Sequence, residues 1–285
     1  MGLDEVDFLI IGATKSATTW LQKSLQTDPQ VAMPDPELHY FSRYYDKGDD
    51  WYLAQFPEGA GGLLAGEKSN SYLESADAAA RIAEKLPHVR LVAQLRNPVE
   101  RAYSDYCMMY RRGEIGRNVE RYLDPDRPQN TRLISAGLYH RQLRAFYDRF
   151  PPDQILITLF DEMRSRPEDH LTSVRSFLGL PSGPSATFVP TKVKDKTTPM
   201  VGPKLRRLLR PAKPFVSYVR DTPYFRRLHA LIGRETSYAP LPKQVRSRLV
   251  EYYARDVETL GRMIGKDLSA WLADTAVHPT MEPTA

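Results

Sequence analysis

The chain has 285 residues and a single cysteine, Cys107. One thiol excludes an internal disulfide framework and any cysteine-built zinc site. It fits a reducing compartment and reads as a small buried side chain. Long apolar runs are missing as well: no stretch approaches the roughly 20 residues that span a bilayer. The early run FLII follows acidic residues and is too short for the core of a signal peptide. Gly2 is not followed by a myristoylation pattern, because Val6 stands where Ser or Thr is wanted. These absences lead to the expectation of a cytoplasmic protein. His88, His140, His170, His229 and His278 lack metal-ligand spacing, so no metal site is expected. No internal repeat or low-complexity tract interrupts the chain.

What is present is ordinary in amount, with 41% hydrophobic and 26% charged residues, and basic in balance, with a net charge of +5. That balance leans towards anionic ligands, lipid or nucleic acid. No RNP, KH or zinc-finger pattern accompanies it, so nucleic acid is not expected as a partner. VDFLIIG (6–12), VRLVAQLRNP (89–98) and QILITLFDEM (154–163) are short apolar runs of the kind that form buried strands, with a shorter strand in GGLLAGEKSNSYL (61–73). Helical patterns follow or separate them: TTWLQKSLQ (18–26), VERAYSDYCMMYRR (99–112), GLYHRQLRAFYDRF (137–150) and EDHLTSVRSFLGL. A closing helix and turn are read in EYYARDVETLGRMIGKDLSAWL (251–272). Strands alternating with helices predict an α/β fold of three layers, a central parallel sheet flanked by helices. Residues 1–273 are read as one domain and 274–285 as a loose polar tail.

In such a sheet, ligands sit at the carboxyl ends of the strands. That rule gathers GATKSATT, EKSNSY and LRNP on one rim. The first is a shortened phosphate loop, with Lys15 three residues after Gly12 and no second glycine before it. A strand ending in glycine and running into a helix presents free amides and the positive end of the helix dipole to an anion. Lys15 adds a full charge; Ser16, Thr18 and Thr19 add hydroxyl donors. A nucleotidase or kinase would carry a metal-binding acid at the end of a neighbouring strand. Here that position holds Arg96, which suits a second phosphate bound without metal. The ligand implied has phosphate groups at two ends.

The pattern G-x-x-K-S-x-T-T, with LRNPVERAYSDY some way downstream, resembles the PAPS-dependent sulfotransferases, whose donor carries phosphates at both ends of one adenosine. PELHYF and DWY in residues 34–57, EKSNSYL (67–73), the helix beginning GLY and VKDKTTP (193–199) resemble the branch that includes the heparan-sulfate glucosaminyl sulfotransferases. The resemblance covers roughly residues 6–200 and the terminal KDLSAW. It implies a P-loop-like fold and PAPS as co-substrate, with PAP as product. It places Lys15, Ser16, Ala17, Thr18 and Thr19 on the 5′-phosphosulfate and Arg96 and Ser104 on the 3′-phosphate. It also brings in Tyr139, and Lys194, Lys196 and Thr197 as a loop closing over the donor. Lys68 is either a contact to the transferring group or acceptor, or a solvated lysine. Transfer to an alcohol needs a base, and Glu37 and His39 are the candidates. In an extended segment residues two apart point the same way, so both can face the site. The resemblance favours Glu37, leaving His39 to orient the acceptor.

The chain departs from the branch at Ala17, where glycine is usual, at Pro36 and at Asp195. The branch's disulfide cannot form. Residues 203–234 form a basic insert, rich in aromatic residues, that has no counterpart. It reads as a flap over the acceptor cleft, a holder of an anionic acceptor, or a peripheral membrane contact. The expected acceptor is a hydroxyl of a glycan, glycolipid or natural product, with an amine the nearest variant. Two rivals stand beside this reading: a P-loop kinase or NTPase, and a non-catalytic anion-binding protein on the same fold.

Overall fold

The computed structural model describes residues 1–126, 131–181 and 238–273. Lys194, Lys196, Thr197, the 203–234 insert and the tail from Asp274 lie outside these residues. Among the described residues the strands are β1 (Val6–Gly12), β2 (Val31–Ala32), β3 (Leu64–Lys68), β4 (Arg90–Leu95) and β5 (Ile155–Leu159), in the order β2-β3-β1-β4-β5. Every neighbouring pair is parallel. β1 is central and buried along almost its whole length, which is why its sequence is a continuous apolar run rather than an alternation.

Successive side chains of the strands feed opposite layers. Phe8, Ile10 and Val92 pack with Trp20, Leu21 and Leu25 of α1 (Thr18–Leu25). The same layer contains Leu171 and Val174 of a later helix, Pro167–Phe177. Leu9, Ile11, Leu91 and Ala93 belong to the larger core on the other face. The longest helices of that layer are Ala76–Lys85, Pro98–Arg111, Tyr139–Tyr147 and Lys243–Ile264, with shorter helices packed beside them. In chain order the helices are α1, α2 (Tyr40–Arg43), α3 (Asp49–Leu53), α4 (Ala76–Lys85), α5 (Pro98–Arg111), α6 (Val119–Leu123), α7 (Thr131–Ser135), α8 (Tyr139–Tyr147), α9 (Phe160–Ser165), α10 (Pro167–Phe177) and α11 (Lys243–Ile264). Three layers with a central parallel sheet are the architecture that the alternation of patterns predicted.

Two boundaries differ from the sequence reading. The apolar run 154–163 is strand only to Leu159; the Glu162 carboxylate then accepts the Leu159 N–H at 3.3 Å and starts α9. The closing helix begins at Lys243 rather than at 251 and buries Val245 and Leu249 with its first turns. The short elements β2, α2, α3, α6 and α7, and also α4, carry patterns too brief or too alanine-rich to stand out from their neighbours.

The connections from β1 run to one side of the sheet and those from β4 to the other, so the crevice between their carboxyl ends is the switch point. The loop after β1, the residues after β3 and the turn after β4 all open there.

Candidate active site

The loop from Gly12 to Ala17 is bent by residues in the left-handed region. Lys15 has φ +72° and Ala17 has φ +64°. Such residues turn successive amides towards one concavity, an anion-binding arrangement. Gly12, at φ +153°, admits no side chain, because a Cβ there would stand 2.9 Å from that of Leu73. The Ala13 amide donates to the Gln94 carbonyl at 2.9 Å and that of Ser16 to Ala13 at 3.3 Å. The amides of Thr14, Lys15, Ala17, Thr18 and Thr19 have no such partner among the described residues. Ala17 is the cap residue of α1 and supplies no side-chain acceptor, so the first amides of that helix stay open.

Burial lowers the Lys15 ammonium to about 8, opposed by Asp105 and helped by Arg96, Arg111 and Arg112. Its nearest polar contact is the Met108 sulfur at 3.7 Å. An ammonium held among other cations gains most from an arriving anion. Arg96 donates to the Lys15 carbonyl at 3.3 Å and lies over the Phe160 ring, 4.5 Å from its centroid. Ser104 is half-buried on α5, four residues before Met108 and hence on the same helix face. Thr19 is likewise half-buried, while Thr18 and Ser16 are buried.

Tyr139, which the resemblance brings in, lies in the core beneath the rim. It is fully buried and its hydroxyl donates to the Arg96 carbonyl at 2.8 Å. It acts on the rim through Arg96 and presents no surface to a ligand.

The second half of the site gathers around Glu37. Lys68 Nζ lies 2.7 Å from one carboxylate oxygen, and Lys68 itself is only 4% exposed. It is therefore a buried counter-ion, not a solvated lysine. Asn70 donates twice to the same carboxylate, from its backbone N–H and from Nδ2, both at 3.1 Å. His39 Nε2 stands 3.7 Å from the other oxygen. Burial alone would raise the Glu37 carboxyl; the Lys68 ammonium and the Asn70 donors outweigh it and hold it below the usual range. His39 is pushed down, first by burial and then by Arg43, Lys68 and Arg132, against the pull of Glu37. At neutral pH the pair is an ionised carboxylate beside a neutral imidazole.

Glu37 and His39 do converge, but not by the geometry of an extended segment. His39 has φ +53° and starts α2. Its Nδ1 is 2.7 Å from the Ser71 hydroxyl, which in turn meets that of Ser42 at 2.6 Å.

Asn70 was not singled out from the sequence. Its Oδ1 accepts from Thr18 Oγ1 at 2.8 Å while its Nδ2 donates to Glu37, so one carboxamide joins the phosphate loop to the carboxylate. Gln94 has no place in the sequence reading, and His170 enters it only as a histidine without metal-ligand spacing. Gln94 Nε2 donates to the Ser16 carbonyl, and His170 Nε2 lies 2.9 Å from Gln94 Oε1. The only sequence signal for Asn70 was its position just past the end of a rim strand. Among the described residues no group of three or more His, Cys, Asp and Glu side chains is arranged to hold a metal.

Comparison with known proteins gives this geometry a context. The family described as "Sulfotransferase domain" matches residues 5–193. Human heparan sulfate glucosamine 3-O-sulfotransferase 3B1 is 32% identical over 177 residues, covering 60% of this chain and 45% of that protein. The bifunctional heparan sulfate N-deacetylase/N-sulfotransferase 1 of Caenorhabditis elegans is 29% identical over 198 residues, covering 64% of this chain and 23% of that one. The chain thus matches less than half the length of these curated relatives. Among solved structures, a sulfotransferase from Alicyclobacillus acidocaldarius superposes with a TM-score of 0.68 over 94% of this chain and 99% of the other, at 22% identity. This likeness is one of fold.

Proposed function

Starting from the membership of this chain in the sulfotransferase-domain family, we propose that it transfers the sulfuryl group of PAPS to a hydroxyl of a glycan, glycolipid or natural-product acceptor. The observation that carries the reading is one rim on which a cationic phosphate loop, an arginine and a paired carboxylate stand side by side, joined through Asn70.

Sulfuryl transfer asks for in-line positioning and for positive groups around the phosphate that leaves. Lys15 and the open amides of residues 14–19 suit the 5′-phosphate side, and Arg96 with Ser104 suits the 3′-phosphate. The donor set is cationic and hydroxylic, which fits an adenosine with anionic groups at both ends. Tyr139 fixes the Arg96 backbone from beneath.

Glu37 is the base. Its depressed pKa is no obstacle, because the acceptor hydroxyl turns acidic only as its oxygen bonds to sulfur. An ionised, weakly basic carboxylate can take that late proton. Lys68 keeps Glu37 ionised, and neutral His39, tied to Ser71, orients the acceptor. The glycan class of acceptor draws support from the relatives, whose names specify heparan sulfate glucosamine. Lys194, Lys196, Thr197 and the 203–234 insert belong to the proposal on sequence grounds alone, as a closing loop and an acceptor flap.

The test is calorimetric titration with PAP in the absence of Mg²⁺, beside ATP with Mg²⁺. Micromolar binding of PAP that falls by about ten- to a hundredfold in Arg96→Ala is expected, as for loss of a charged hydrogen bond on a phosphate. Binding of ATP with Mg²⁺ and none of PAP would return the phosphate loop to the nucleotide kinases. Once an acceptor is found, Glu37→Gln is expected to lower kcat with the PAP affinity unchanged.

A further inference from the structure

Glu67, one residue before Lys68, is 1% exposed and takes no part in the chemistry above. Its carboxylate accepts the Ser69 hydroxyl proton at 2.8 Å, and the Tyr72 hydroxyl faces it as well. Both hydroxyls have a second duty. The backbone N–H of His39 donates to Ser69 Oγ at 2.8 Å, and that of Phe41 reaches the Tyr72 oxygen at 3.4 Å. An ionised carboxylate can only accept, so the Ser69 hydroxyl must point its proton at Glu67 and leave its oxygen free to accept the His39 amide. The two amides belong to the segment that leaves Glu37, passes through His39 at φ +53° and opens α2. A non-glycine residue in that region persists only where its surroundings over-determine it.

We propose that Glu67 is a positioning residue for the acceptor half of the site, fixing the proton of Ser69 so that its oxygen holds the backbone of His39. The role rests on the reading of Glu37 and His39 as acceptor-side groups, but the contacts themselves do not involve donor or acceptor. Burial raises the Glu67 carboxyl to about 7 against the Tyr72 and Ser69 hydroxyls, with Glu37 adding to the rise and Lys68 opposing it, so the ionised form that can only accept prevails above that pH, and the exchange experiment is run at pH 8. Tyr52 is the other titratable group that faces it. A buried acid, one oxygen of which has no hydrogen-bond partner among the described residues, is costly to keep for packing alone.

The experiment compares amide hydrogen exchange and the His39 ring titration by NMR in the unaltered protein, Ser69→Ala, Glu67→Leu and Glu67→Gln. In Ser69→Ala and Glu67→Leu the His39 N–H is expected to exchange about tenfold faster, the loss of one hydrogen bond. The β1 amides keep their rates, and the His39 ring moves back towards its ordinary range. Glu67→Gln offers a carbonyl to Ser69 and is expected to restore His39 protection to within about threefold. If His39 protection is unchanged in the folded variants, or if the β1 amides accelerate together with it, Glu67 is a general packing residue and the proposal is overturned. Glu67→Ala, which likewise offers Ser69 no acceptor, carries the test if Glu67→Leu does not fold. PAP titration of the same variants is read separately: no binding by the unaltered protein would defeat the donor reading and leave the His39 result standing.

Discussion

Lys15 is a cation kept among cations, so its protonation and the arrival of an anion assist each other. A free-protein pKa of about 8 that rises on binding means that affinity is full below that value and declines above it. PAP binding is expected to weaken by up to about tenfold per pH unit between 8 and the pKa of the complex. Lys15→Met should bind weakly and lose this dependence; calorimetry at pH 7, 8 and 9 measures both. Ala17 is the neighbouring case of backbone cost. At φ +64° it sits where L-residues are strained and glycine is not. Ala17→Gly is expected to stabilise the protein by about 0.5–1 kcal/mol after the greater freedom of glycine in the unfolded chain is counted. A urea midpoint that does not rise, at constant slope, would show that the loop carries no such strain.

At the scale of elements, the rim is held by supports that run from strand and helix into loop. α5 starts where Asn97 Oδ1 accepts the amides of Val99 at 3.0 Å and Glu100 at 3.3 Å, with Pro98 at its first position. Asn97 Nδ2 also donates to the Trp271 carbonyl at 3.1 Å, tying the start of α5 to the last described turn. Asn97→Ala is expected to cost about 1–2 kcal/mol in thermal or urea unfolding. The phosphate loop has its own support in β4 and α10, through Gln94 and His170. Burial pushes His170 down to about 4, aided by Lys266 and opposed by Glu162. Its folded pKa is thus below the ordinary 6.5, and the unfolded chain binds the extra proton between the two values. Stability from this group is complete above about 6.5 and is lost as pH falls towards 4, on the order of 2–3 kcal/mol. His170→Gln should flatten the acid limb of the stability profile; an unchanged limb would mean that other groups set it.

Across the whole molecule, the match to the family ends at residue 193, yet the core does not. α11 buries Val245, Leu249, Tyr253, Val257 and Leu260 against the large layer. Asp256 accepts the His140 and Arg141 amides at 3.0 and 3.2 Å, capping α8 from outside. α8 in turn carries Tyr139, which holds Arg96. The last described helix therefore reaches Arg96 on the rim through packed elements. Tyr253→Ala opens a void under α8 and removes the bond to the Ile134 carbonyl, and is expected to cost about 3–5 kcal/mol. A chain ended before Lys243 should lose cooperative unfolding altogether, as calorimetry or circular dichroism would register. Native-like unfolding of that shortened chain would make α11 an accessory.

The sequence by itself determined the sheet, its flanking layers and the rim on which the site is built. Buried parallel strands are apolar without interruption, and phosphate loops announce themselves by a glycine, a lysine and hydroxyls in one short span. Those signals are local, and β1, α1, β4 and α5 fell where the pattern put them. Only the tertiary structure decided what each rim residue touches. Lys68 is the counter-ion of Glu37, Tyr139 is a support beneath Arg96, and Asn70 joins two loops that lie far apart in the chain. Glu67, Gln94 and His170 show no local pattern, because their roles exist only once strand and helix have packed. A side chain's hydrogen-bond partners depend on which elements pack against it, and a linear sequence does not display that packing.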